Sequence, residues 1–146
     1  MEKVELELLN RMYQDATVGM LAIDKILKKI ENEPLRTLFK KQYNMYERFA
    51  KRCEAVAMRN GEEVKENSFF KKLGQSTMLY FSLWKDKTPR HIVEMMINGT
   101  VMGIVDTIKA EHDLKTDSEE LNGFVVEFKR MQDDFYEKLK KQLSKV

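Results

Sequence analysis

The chain has 146 residues, of which 42% are hydrophobic and 34% charged, and its formal net charge is +2. That apolar share supports a packed core and excludes a disordered chain. Lys and Arg are interleaved with Asp and Glu, which excludes the one-signed field of a nucleic-acid binder.

The one cysteine, Cys53, excludes an intrachain disulfide and fits a reducing compartment. The longest nearly uncharged stretch, Met95 to Val105, falls well short of the roughly 20 residues that span a bilayer. Acidic residues interrupt the opening segment, so it does not read as a signal peptide. A cytoplasmic protein with no membrane span is expected.

The elements follow from hydrophobic spacing. Leu9, Tyr13, Ala16, Met20, Ile23, Leu27 and Ile30 recur at alternating steps of four and three and predict a first helix. Pro34 suits the start of a second, because a first-turn N–H has no intrahelical partner. Its seam is Leu35, Phe39, Gln42, Tyr46, Phe49, Cys53 and Val56, and Asn60-Gly61 ends it.

The next segment, Ser68 to Trp84, is aromatic and predicted helical through Phe69, Phe70, Leu73, Thr77, Tyr80, Phe81 and Trp84. Pro89 opens another helix, Arg90 to Asp113, which carries two apolar stripes. One is Ile92, Met96, Gly99, Gly103, Asp106 and Ala110; the other is Ile97, Val101, Ile104, Val105 and Ile108. A helix apolar on two faces is packed on both, which places it at the bundle centre or a subunit interface. Gly99 and Gly103 read as a device for close backbone approach. Thr116-Asp117-Ser118 caps the last helix, whose seam is Leu121, Val125, Phe128, Gln132, Phe135, Leu139 and Gln142.

No segment alternates with period two, so no strand is predicted. Short turns make each flanking helix pair antiparallel, and the Ser68 segment is long enough to run back along the bundle. The predicted fold is all-α: a ferritin-like antiparallel four-helix bundle with an additional helical crossover segment, forming a single helical-bundle domain over 1–146.

Polar residues on these seams are the candidate site. Asp106 lies about 24 Å below Arg90 at about 1.5 Å per residue. The same height on the other helices reaches Asp15, Glu47 or Glu54, and Glu127 or Gln132. Inward carboxylates at one level build the dimetal centres of ferritin-like proteins. The candidate metal ligands are therefore Asp15, Glu47, Asp106 and Glu127, with iron or manganese as the cofactor. Such centres also use Glu-x-x-His pairs, and none occurs: Ala50 and Arg130 follow Glu47 and Glu127 at that spacing, and Thr88 and Lys109 precede His91 and His112. The alternative is a structural Asp106 paired with a core tyrosine, glutamine or basic group, as a buried charge requires.

Asp24, Gln42 and Asn98 fall at a second common height, where Gln42 serves to fix register. Cys53 reads as a small buried hydrophobe and the methionines as adaptable core filling. No Gly-rich phosphate loop occurs, and no Ser or Cys has a histidine base near it in sequence, so no catalytic residue is assigned.

The segment Asp86-Lys87-Thr88-Pro89-Arg90-His91-Ile92-Val93-Glu94-Met95-Met96, continuing through Ile97-Asn98-Gly99-Thr100-Val101-Met102-Gly103-Ile104-Val105-Asp106, resembles the central stretch of an uncharacterised family of small helical proteins from Gram-positive anaerobic bacteria. Leu8-Leu9-Asn10, Tyr13, Ala16 and Gly19 are similar to the opening of the same family. The resemblance implies a ferritin-like four-helix bundle and carries no assigned activity. The expected function is a non-enzymatic bundle acting through self-association, as a homodimer, or through partner binding, with no cofactor. The alternative is a metal-binding bundle with iron or manganese near Asp106.

Overall fold

Residues 1–65 and 85–146 are described by the structure, a computed structural model. The predicted Ser68 to Trp84 helix lies outside the described residues. Among the described residues there are four helices and no strand: α1 (Lys3–Leu27), α2 (Glu33–Arg59), α3 (Pro89–Asp113) and α4 (Glu119–Leu143). No described helix is long and apolar enough to cross a membrane.

The boundaries form where local chemistry satisfies the helix ends. Asn32 Oδ1 accepts from the Leu35 N–H at 3.0 Å, with Pro34 just inside α2. Thr88 and Ser118 cap α3 and α4 in the same way, accepting from the N–H groups of His91 and Leu121. At the other end of α1, the Arg36 guanidinium donates to the Leu27 and Ile30 carbonyls at 2.6 and 2.9 Å. Gly61 follows α2 with φ +72°, the left-handed position that glycine fills without strain.

Side-chain contacts define the directions. α1 packs antiparallel on α2 across the turn at Asn32, and α3 packs antiparallel on α4 across Thr116. Phe39 meets Phe135, Tyr46 meets Phe128, and Phe49 meets Phe124, so α4 descends as α2 ascends. Glu5 reaches Thr116, and Arg11 reaches Asp106, so α1 and α3 are also antiparallel. α2 and α3 therefore point the same way. The chain leaves α2 beside the start of α4, where Arg59 bonds Glu120, and enters α3 at the opposite end.

Every predicted α2 seam residue is buried, and so is every one on α4 except Gln142. On α1 the predicted seam holds less closely: Leu9, Ala16, Ile23 and Ile30 are buried, Tyr13, Met20 and Leu27 only half-buried, and Leu8, Met12, Ala22 and Ile26 are buried beside them. One hydrophobic cluster joins all four helices. Within one chain, α3 is packed on one face, not on both as a central position in the bundle requires. Ile92, Val93, Met95, Met96 and Ala110 enter the core, while Val101, Met102, Val105 and Ile108 are 38, 63, 44 and 49% exposed. The glycine pair also behaves differently. A Cβ at Gly99 would meet nothing within 4 Å, and one at Gly103 would meet the Gln132 side chain, not another backbone.

Gly19 is where absence of a side chain matters most. A Cβ there would sit 2.7 Å from the buried Tyr46 ring. Gly19→Ala should lower the melting temperature, because overpacking costs about 1–3 kcal/mol and outweighs a helix-propensity gain of about 1 kcal/mol. Gly123→Ala, with nothing within 4 Å of its Cβ, should raise it by the propensity gain alone. Thermal unfolding of the two variants checks this, and shifts of the same sign would show that Tyr46 is not wedged against α1.

Candidate functional site

The polar residues collect in a column beside and within the core. Arg11 and Asp15 are one turn apart on α1 and so share a face. That face looks onto α3, where Asp106 projects toward both. The Arg11 guanidinium donates through Nη2 to Asp106 Oδ1, and the two side chains keep only 24 and 26% exposure. The second oxygen, Asp106 Oδ2, is buried and has no N–H or standing hydroxyl donor.

Asp15 lies against the same carboxyl. Burial, and then the hydrogen bond and charge of Asp106, hold the Asp15 carboxyl well above the usual carboxylate range, with Arg11 opposing. Two carboxyls in contact avoid repulsion when one keeps its proton and donates to the other. The α1–α3 seam is thus closed by two carboxyls and a guanidinium, with the Asp15 proton held more tightly than in an ordinary carboxylic acid.

The column continues inward through Tyr46. Its hydroxyl is pushed up to about 12 by burial, with the Gln42 hydrogen bond lowering it and the Asp15 charge raising it. Gln42 lies three residues past Phe39, and Gln132 three before Phe135. The Phe39–Phe135 contact, with ring centroids 6.2 Å apart, therefore sets the two glutamines opposite each other across the α2–α4 seam. Both are buried; Gln42 Nε2 lacks an acceptor and Gln132 Oε1 lacks a donor. Gly103 leaves the room that Gln132 occupies, since a Cβ would lie 3.1 Å from its Nε2.

The candidate metal ligands divide accordingly. Asp15 and Asp106 come together as the height match predicts. Glu47 instead bonds Lys51 on the exposed side of α2 at 3.5 Å, and Glu127 bonds Arg52 across the α2–α4 surface. Glu54 is exposed. Among the described residues, no group of three or more His, Cys, Asp and Glu is placed to hold a metal ion. Two carboxyls with a guanidinium on one of them do not fit a dimetal centre, which needs several carboxylates and imidazoles converging without a competing cation. The expected layer of Asp24, Gln42 and Asn98 separates too: Asp24 pairs with Lys28, and Asn98 is exposed.

Among the described residues, nucleophilic chemistry has little to work with. Cys53 is fully buried, and burial pushes its thiol up to about 12, which keeps it inert. His112 is exposed at the end of α3 beside Asp113, and His91 stands in the first turn at the opposite end.

Two features escaped the sequence. Arg11 was the partner of Asp106, and its only signal is the four-residue spacing to Asp15. Asn10 and Gln14 clasp the backbone of Lys65: the Lys65 N–H donates to Asn10 Oδ1 at 2.9 Å, and Gln14 Nε2 donates to the Lys65 carbonyl. That pair ties the chain leaving α2 to α1.

Comparisons with protein-family models, with curated proteins and with solved structures find no match to this chain. The family resemblance seen around Asp86 to Asp106 therefore gains no support from them, while the described residues do form four helices.

Proposed function

We propose that this protein is a non-enzymatic helical bundle of ferritin-like path that acts by association, through the outer face of α3. The carrying observation is the exposed apolar row Val101, Met102, Val105 and Ile108 on a helix whose opposite face is core. A soluble fold seldom leaves such a row open unless it meets another surface. The ferritin-like path is supported by the helix directions: two antiparallel pairs, with α2 and α3 aligned. The Arg11–Asp106 pair supports a structural role, since a guanidinium already holds that carboxylate.

Multi-angle light scattering over a concentration series tests the association. The unaltered chain should shift from monomer to dimer, and Val101→Lys with Val105→Lys should stay monomeric while keeping its helical circular dichroism. A chain that is monomeric at every concentration would sink the reading.

A second reading, iron or manganese near Asp106, rests on the meeting of Asp15 and Asp106, and Arg11 opposes it by its charge. Elemental analysis of protein purified without chelator, with thermal shifts on adding either metal, separates the two. Stoichiometric metal whose stabilisation disappears in Asp106→Asn would favour this second reading.

A further inference from the structure

We propose that the occupant of the α3 outer face is a second copy of this chain, with the two α3 helices antiparallel about a two-fold axis between Val101 and Met102; this rests on the association reading above. Glu94, Asn98, Val101, Met102, Val105 and Lys109 are all exposed. Apart from the adjacent Val101 and Met102, which straddle the midline, their steps of three and four residues place them along one face of the helix.

That face is complementary to itself when reversed. About a midpoint between Val101 and Met102, Val101 falls opposite the partner's Met102, Asn98 opposite Val105, and Glu94 opposite Lys109. Each contact occurs twice, as a two-fold interface requires. The apolar residues meet at the centre and the opposite charges meet at both ends. One turn further out, Arg90 falls opposite Asp113 on the same register, giving a second pair of opposite charges. Arg90 and Glu94, which bond each other at 3.3 Å within one chain, then face Asp113 and Lys109 of the other.

A parallel arrangement fails on the same residues. It sets Glu94 against Glu94 and Lys109 against Lys109, and like charges at an interface select against that alignment. A partner of unrelated sequence would give no reason for acid and base to lie at equal distances from the apolar centre.

Cysteine cross-linking in the full chain reads the register directly. Cys53 is buried, so the unaltered protein is a silent control. Val101→Cys, beside the axis, should form a disulfide-linked dimer under mild oxidation. Glu94→Cys alone and Lys109→Cys alone should not, whereas the two mixed and re-equilibrated should cross-link to each other. A chain that dimerises by light scattering but self-links at Glu94→Cys, or fails to link the mixed pair, would overturn the antiparallel register and leave the association reading standing. A strict monomer would overturn both.

Discussion

Phe128→Ala should lower the unfolding free energy by about 3–5 kcal/mol. Phe128 has no exposed surface and joins two helices through aromatic contacts. Its ring stacks on Phe49 with centroids 4.7 Å apart and planes 21° apart, and it tilts against Tyr46 at 6.1 Å. Phe49 in turn meets Phe124 at 5.6 Å. Truncation removes the buried area of a phenyl ring, its pair contacts, and the filling of a space that rigid neighbours cannot close. Urea denaturation followed by circular dichroism measures the change. Val126→Ala on the same helix, 54% exposed, should change stability by less than about 0.5 kcal/mol. Similar losses for the two would mean that the α2–α4 seam is not the organising layer of the core.

That seam was the most legible part of the sequence. Seven-residue repeats with large apolar side chains leave few alternatives, and the α2 and α4 residues fall where the spacing puts them. The caps were equally readable, because Asn32, Thr88 and Ser118 stand where the first N–H groups need acceptors. α3 was legible in part: its second apolar face is not packed at the centre of one chain, which leaves the expected subunit interface as the remaining alternative. Periodicity reports which faces are apolar, not what covers them, so Val101 and Val105 read as packed although one chain leaves them open.

The candidate site was legible by half. Helix rise along antiparallel elements was enough to bring Asp15 level with Asp106. It could not place Glu47 or Glu127, because one position off a seam is a rotation of about 100°, enough to turn a carboxylate from the core to Lys51 or Arg52. Arg11 was missed because its partner lies 95 residues away, and spacing within α1 says nothing about which helix its face will meet.

Asp15→Asn should stabilise the protein at neutral pH and flatten its stability against pH, whereas Asp106→Ala should destabilise it. The sign follows from proton linkage. Asp15 binds its proton more tightly in the folded chain than in the unfolded one. Its contribution is therefore fully present below the ordinary aspartate range and is lost as pH rises through the raised folded value. Asparagine keeps the shape and the hydrogen-bond donor of the protonated acid and has no proton to lose. Asp106→Ala does the reverse: it takes the carboxylate from a partly buried Arg11 and from the Asp15 proton donor at once. Breaking a fully buried pair costs about 3–5 kcal/mol; with about a quarter of each side chain exposed, a loss of about 1–3 kcal/mol is expected. Melting temperatures of the three proteins from pH 4 to pH 9 check both claims. If Asp15→Asn keeps the unaltered chain's decline toward high pH, the proton that matters is not on Asp15, and the α1–α3 seam is held by the Arg11 pair alone.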